Sequence, residues 1–311
     1  MVKIALVGCG GIGMAHLRAY KELKDVIVSA VVDRDMKKAE AAAEFSGAQA
    51  LNDISQIASD IDGVSVVTPP QSHFQITSDL LERNFNVFCE KPLTMNTEEA
   101  GRLIEIAERK KKALMVGFKM RFEPIFQEAK KLLPKIGKLL SVSSVKQQPF
   151  RARATENWIP KVGAMYELSV HDFDLINWIA EIEPEEVLFS KLDYRLGWER
   201  ENAFFLTVKY SKDVTGQLQG MYALENEFMY RDLTLTFTGE KGYMRVERPD
   251  RIVLHTSDYS VKEINPAGVN AFVSELQHFC DVIRGEKKNM LDGKFGLMTT
   301  KIVEDANKIK I

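Results

Sequence analysis

The stretch ELSVHDFDL, residues 167 to 175, sets Glu167, His171, Asp172 and Asp174 among residues suited to a buried helix. On a helix the i, i+4 spacing puts Glu167 and His171 on one face, about 5–6 Å apart at Cβ. An unperturbed imidazole titrates near pH 6.5, so such a pair could take up or release a proton close to neutrality. The same residues also fit a partly buried histidine merely satisfied by its glutamate. Asp172 and Asp174 stand at other angles, and Asp174 is expected at the helix surface or a domain contact.

A second constellation lies far upstream. VGCGGIG holds Gly8, Gly10 and Gly13 in G-x-G-x-x-G spacing, between an apolar run and a helix-like stretch. Gly8 would permit a tight turn, and Gly13 would let helix and strand pack closely. Gly10, with Gly11 and Ile12, would bring backbone up to a pyrophosphate at the helix N-terminus. Asp33 closes the next apolar run. It stands about 20 positions on, where a carboxylate would accept hydrogen bonds from an adenosine ribose. A carboxylate there repels a 2′-phosphate, which favours NAD. Arg34 beside it keeps NADP open, because a guanidinium can pair with that phosphate. A plain turn with a solvated Asp33 is the bland alternative.

A third is Glu90-Lys91-Pro92, ending another apolar run. Strand carboxyl ends face the ligand crevice of a doubly wound sheet, so Glu90 and Lys91 are expected at the nicotinamide end. An ammonium beside a reacting oxygen can stabilise alkoxide charge or share its proton. A surface Lys-Pro turn is the alternative.

The elements that must position these residues change character along the chain. Strand-like runs at 3–8, 26–33, 63–69, 86–92 and 113–118 alternate with helix-like stretches at 13–23, 36–46, 74–84 and 97–111. That alternation predicts right-handed βαβ crossovers and a parallel sheet. Beyond residue 120 a helix at 123–133, a helical 167–180 segment and alternating strands over 186–257 predict an antiparallel meander, closed by helices at 268–284 and 293–309. The expected fold is therefore α/β, with a Rossmann doubly wound sheet over 1–120. An α+β domain with an open, mostly antiparallel sheet should cover 121–311.

Composition agrees. The chain has 311 residues, 45% hydrophobic and 28% charged, enough for two cores. A net charge of -2 without a long basic block argues against nucleic-acid partners. No apolar run approaches the roughly 18 residues of a membrane span. The opening VKIALVG reads as a strand, without the basic region and longer apolar core of a signal peptide. Cys9, Cys89 and Cys280 form no CxxC pair, which suggests reduced thiols in the cytoplasm and no structural metal. His16, His255 and His278 are discounted as packed or exposed, and the lysine-rich runs as solvated faces.

With TPPQSH (68–73) and CEKPL (89–93) added to the glycine loop, the chain resembles the Gfo/Idh/MocA family of glucose–fructose oxidoreductases and inositol dehydrogenases. VGFKMRFEP (116–124) and FVSELQHFCDVIRG (272–285) extend the resemblance over nearly the whole length. It implies nicotinamide-dependent transfer of a hydride to or from a secondary hydroxyl or keto carbon of a sugar, cyclitol or polyol. It also implies a homodimer or homotetramer built through the C-terminal sheet. By similarity, Lys91 reaches the substrate hydroxyl across a cis Lys-Pro bond, and Glu90 lies near the cofactor. Thr68, Pro69 and His73 line the cofactor groove, although His73 alone fits a helix cap equally well. The family's Asp-x-x-x-His helix maps onto Glu167 and His171, which makes His171 the general base with Glu167 in support. Arg151, Arg153, Asn157, Trp158 and Tyr166 lie where specificity contacts are expected. Three departures bear on the substrate: glutamate at 167, a single Gly163 in the preceding turn, and Trp158-Ile159 where a Trp-Arg pair is common. A keto-sugar reductase, including one for nucleotide-linked sugars, and a non-catalytic nicotinamide-binding sensor are the alternatives.

Overall fold

A computed structural model describes residues 1–149, 158–222, 232–257, 259–263 and 268–309. By its internal contacts the chain divides into one unit of Met1–Lys119 with Asn270–Leu297 and another of Met120–Val269 with Met298–Ile311.

The first unit is built on β1 (Val2–Val7), β2 (Val26–Val32), β3 (Gln49–Leu51), β4 (Gly63–Val66), β5 (Asn86–Glu90) and β6 (Leu114–Gly117). They pair in parallel in the order β3-β2-β1-β4-β5-β6. All of β4 and β6 is buried, as expected of strands covered on both faces. The crossovers are α1 (Gly11–Glu22), α2 (Met36–Ser46), α3 (His73–Glu82) and α4 (Thr97–Lys110). Their ends follow local chemistry. Asp35 accepts the Lys37 N–H to cap α2, and Gly47, at φ +76°, stops it. Asn96 accepts the Glu99 N–H to cap α4, whose first turn is acidic and last turn basic. The short β3 is absent from the sequence reading, since QAL is too brief to show a period.

Residues 270–297 belong with this unit, although a single cut at 120 groups them with the C-terminal part. The cause is the apolar face of α8 (Ala271–Ile283), whose Leu276, Phe279 and Cys280 are fully buried. Phe279 stacks edge-on against Phe88 with ring centroids 5.8 Å apart. Its neighbour Ile283 comes so close to Gly63 that a Cβ there would lie 2.6 Å from it.

The second unit carries an eight-stranded sheet. Its strands are β7 (Leu139–Gln148), β8 (Pro184–Asp193), β9 (Ala203–Tyr210), β10 (Val214–Tyr222), β11 (Asp232–Gly239), β12 (Gly242–Glu247), β13 (Arg251–His255) and β14 (Tyr259–Glu263). The order is β14-β13-β12-β11-β7-β10-β9-β8, which corrects the expected meander. β7 inserts between β10 and β11, parallel to the first and antiparallel to the second. Residues 223–231 separate those two strands in sequence. The helices of this unit include α5 (Pro124–Leu132), the single turn α6 (Ile159–Val162) and α7 (Val170–Ala180). α9 (Gly293–Lys308) closes the chain.

The segment read as one helix from 167 is two structures. Met165–Ser169 forms a π-turn and α7 begins at Val170. Of the two expectations for Asp174, the helix surface is corrected: the residue is buried. Its carboxylate accepts Arg121 Nε at 2.8 Å and Nη2 at 2.5 Å, with both side chains only 1% exposed. Asp172 is equally buried and pairs with the Lys146 ammonium at 2.9 Å. Burial pushes both carboxyls above their ordinary values, against the pull of their cations. A buried pair of this kind is costly to break from one side. Arg121→Ala should therefore lower the unfolding free energy by about 3–5 kcal/mol, measured by urea denaturation. A loss under about 1 kcal/mol would show that the pair does not hold α7.

Candidate functional site

In the first unit the glycine loop sits between β1 and α1. Gly8 adopts φ +105°, and a Cβ there would meet the Val67 carbonyl oxygen at 2.8 Å. A Cβ on Gly13 would stand 2.0 Å from the Gly8 carbonyl oxygen, so helix and strand can approach only without one. Around Gly10 and Gly11 an added Cβ would meet nothing within 4 Å. The first turn of α1 has no side-chain cap, and Ile12 is exposed. An open, uncapped helix N-terminus with backbone N–H groups suits a pyrophosphate. Asp33 is tied into the same loop. Its Oδ2 accepts the Cys9 N–H at 2.8 Å and its Oδ1 accepts the Asp35 N–H at 2.9 Å. Each oxygen keeps lone-pair capacity for a ribose hydroxyl. Arg34 is exposed, and its charge helps to hold the Asp53 carboxyl low, after the stronger effect of bonds from Ser55.

Thr68 and His73 are fixed by each other's surroundings. The Ser72 hydroxyl donates to Thr68 Oγ1 at 2.8 Å. His73 starts α3 and is fully buried, with Nδ1 2.7 Å from the Pro92 carbonyl oxygen and Nε2 2.8 Å from that of Thr68. Burial holds this imidazole below its ordinary value despite those two carbonyls. The ring thus lies between the Thr68-Pro69 turn and the turn after β5, and in its neutral form it donates to one of the two carbonyls at a time.

That turn carries Lys91, half-buried, joined to Pro92 by a cis peptide bond. Glu90 ends β5. Its Oε2 accepts the Lys91 N–H at 3.1 Å and its Oε1 meets His16 Nε2 at 3.0 Å. Burial pushes the Glu90 carboxyl up, but the bond and charge of His16, with Lys119 and Lys91, outweigh it and leave it below the usual range. A Cβ on Gly117 would lie 2.7 Å from Glu90 Oε2, so the neighbouring strand must be bare there. His16 itself is wedged edge-on between the Phe88 and Phe272 rings, each 5.3 Å away. The sequence reading discounted His16 as packed or exposed and missed its bond to Glu90; the signal for burial was its place on the stripe Gly13, His16, Leu17, Tyr20.

In the second unit Tyr166 and Glu167 lie buried in the π-turn, and His171 is buried in the first turn of α7. Trp158 is half-buried just before α6. Arg151, Arg153 and Asn157 lie outside the described residues. Three side chains pin the π-turn. Lys146 donates to the Leu168 carbonyl, and Tyr222 donates its hydroxyl to Glu167 Oε2. The third, Glu201, accepts the Met165 N–H on Oε1 at 2.9 Å. Gly163, at φ +88°, leaves room for that carboxylate; a Cβ would sit 2.5 Å from Glu201 Oε1. The sequence reading missed Lys146 and Tyr222. Both fall on the inward side of an alternating strand, where a lysine is a visible anomaly.

A doubly wound sheet with a glycine loop opening α1 and an acid closing β2 defines a Rossmann dinucleotide-binding unit. The chain belongs to the Gfo/Idh/MocA family: residues 2–118 match the model described as "Oxidoreductase family, NAD-binding Rossmann fold", and residues 126–245 match the Gfo/Idh/MocA C-terminal domain. It is 30% identical over 190 residues to inositol 2-dehydrogenase of Rhizobium meliloti (strain 1021), a match covering 60% of this chain and 57% of that protein. It is 32% identical over 186 residues to inositol 2-dehydrogenase of Corynebacterium glutamicum (strain R), covering 58% and 54%. The chain therefore aligns with a little over half the length of these relatives. An oxidoreductase from Agrobacterium radiobacter, solved with NAD+, L-tartaric acid and magnesium, shares the fold at a TM-score of 0.89. That match has 18% identity and covers 100% of this chain and 98% of that one.

Glu201 also yields a pH prediction. Burial raises its carboxyl to about 6, and Oε2 meets no hydrogen-bond donor among the described residues. The folded state therefore favours the protonated form. Its contribution is complete below the ordinary value of 4.5 and is lost as pH rises through about 6. Between pH 4 and 7.5 this loss should reach about 2 kcal/mol. In urea melts Glu201→Gln should remove that part of the pH dependence while keeping the acceptor for Met165; an unchanged pH profile would refute the assignment.

Proposed function

We propose that this chain is an NAD-dependent dehydrogenase that moves a hydride between nicotinamide and a secondary hydroxyl or keto carbon of a sugar, cyclitol or related polyol. The observation that carries the reading is Lys91, held at the carboxyl end of β5 in an NAD-binding family fold by its Glu90 and Pro92 neighbours. Gly8, Gly10, Gly11, Ile12 and Gly13 would seat the pyrophosphate, and Asp33 the ribose, which favours NAD over NADP. Thr68, Pro69, Glu90 and Lys91 would complete the cofactor side, with His73 acting through the turns that it joins. Bound NAD supplies the hydride acceptor. The chain's own task is to orient the carbinol and manage its hydroxyl proton, which we assign to Lys91 and His171 with Glu167 in support. Reduction of a keto-sugar would use the same groups in reverse. Trp158, Tyr166, Arg151, Arg153 and Asn157 are the proposed substrate contacts. The inositol dehydrogenases among its relatives favour a cyclitol or sugar. Residues 1–120 would be the dinucleotide-binding domain and 121–311 the substrate and assembly domain, except that 270–297 packs with the first unit. Cys9, Cys89 and Cys280 are free and buried, which supports a cytoplasmic setting.

The test is a spectrophotometric screen of NAD and NADP against inositols, sugars, polyols and keto-sugars, free and nucleotide-linked. With a substrate in hand, Lys91→Ala and His171→Ala should each lower kcat by about 100-fold or more, while NAD affinity changes less than about threefold. Near-normal turnover in either variant removes that residue from the mechanism. NAD binding without turnover on any substrate supports the sensor instead.

We also propose assembly through the outer face of the eight-stranded sheet. There Phe205 is exposed and pairs in register with Gln219, which pairs with the part-exposed Val145. Light scattering should give a dimer or tetramer, and Phe205→Glu should shift it toward monomer; a monomeric parent chain overturns this.

A further inference from the structure

The inner face of the second unit's sheet is polar directly beneath the π-turn. Alternation along β7 buries Ser144, Lys146 and Gln148 on one side. Parallel pairing sets Gly220 beside Lys146 and Tyr222 beside Gln148. Gly220 must be bare, since a Cβ would stand 2.7 Å from Ser169 Oγ at the end of the π-turn. Tyr222 is fully buried at the end of β10. Its N–H donates to the Asn202 carbonyl at 2.7 Å, and its ring lies 5.5 Å from that of Trp198. Backbone and ring are thus both held, and the phenol has little freedom to turn elsewhere.

In that position the Tyr222 hydroxyl donates to Glu167 Oε2. A buried phenol needs an acceptor, and a carboxylate is a stronger one than a neutral group. The bond ties one oxygen of Glu167 to the sheet and so sets the plane in which the carboxylate stands. The π-turn contributes to the same end. Its widened backbone aims residue 167 differently from a regular helical turn, and Lys146 and Glu201 fix it on either side of Glu167. From this geometry we propose that Tyr222 is a positioning residue: it orients the Glu167 carboxylate for work on the substrate and does not itself touch substrate. An aspartate at 167 would be one methylene too short to keep this bond from the same backbone. The inference rests on the reading of Glu167 as part of the proton-handling group.

The experiment has a kinetic arm and an arm that needs no substrate. Tyr222→Phe should keep NAD affinity and the melting temperature close to the parent's, lower kcat by about 10–100-fold and change KM less than about threefold. In a Glu167→Gln background the same change should cost less than about twofold, because the residue acts through Glu167. Full kcat in Tyr222→Phe, or losses that multiply in the double variant, overturns the proposal. Glu167→Asp should behave like Tyr222→Phe, and adding Tyr222→Phe to it should have little further effect. In 13C-glutamate-labelled protein the Glu167 carboxyl signal, assigned by its loss in Glu167→Gln, should titrate at higher pH in Tyr222→Phe, as expected when a donor to the ionised form is removed. An unmoved midpoint refutes the bond. A moved midpoint in a protein without turnover on any substrate overturns the dehydrogenase reading while the Tyr222–Glu167 pairing stands.

Discussion

The structure depends on places where a missing side chain lets a backbone or carboxylate come closer than any Cβ would allow. Gly13 against the Gly8 carbonyl sets the distance between α1 and β1, and with it the shape of the loop that would face a pyrophosphate. Gly117 makes the space that Glu90 fills, and Gly163 makes the space that Glu201 fills. In each case the intruding group is polar and is met by a donor: His16 for Glu90, and the Met165 N–H for Glu201. Close packing and polar satisfaction are therefore one constraint here, and the residues with chemical potential are anchored through it.

The two units treat their buried charges differently. In the first, Glu90 has cations on several sides and is kept ionised. In the second, burial dominates: Asp172, Asp174 and Glu201 are all pushed up, and the first two are steadied by Lys146 and Arg121. Those pairs tie α7 to the strand that carries Lys146 and to Arg121, and His171 lies buried in the same first turn as Asp172. Stability from such pairs is modest when compared with apolar packing, but a single broken partner leaves an uncompensated charge.

Much of this was legible in the residues. The parallel sheet showed itself through β-branched runs and helices of ordinary length, and α2 occupies the predicted 36–46. The glycine loop and Asp33 were readable because their spacing carries a physical requirement at each position. The sequence was less informative where partners are distant. Nothing in KLLSVSSVKQQ shows that β7 will insert between β10 and β11, because alternation reports which face is buried and not which neighbour pairs. For the same reason ELSVHDFDL was readable as helical but not as a π-turn followed by α7. The partners that hold the π-turn, Glu201, Lys146 and Tyr222, are all remote in sequence. Asp174 was misplaced because its cation, Arg121, lies at the far end of the apolar motif that precedes α5.

The insertion of β7 has a consequence for the order of assembly. Ser141 pairs with Thr215 on one side and with Thr238 on the other, so the central strand waits for chain made long after it. Loops of that length must close before their contacts repay the entropy, which makes the middle of the sheet slow to form. Lys146, Gln148 and Tyr222 all sit on that central pair of strands. The floor under Glu167 is thus completed late in folding, and a newly made chain would gain its dinucleotide unit's local βαβ contacts before it owned a finished second unit.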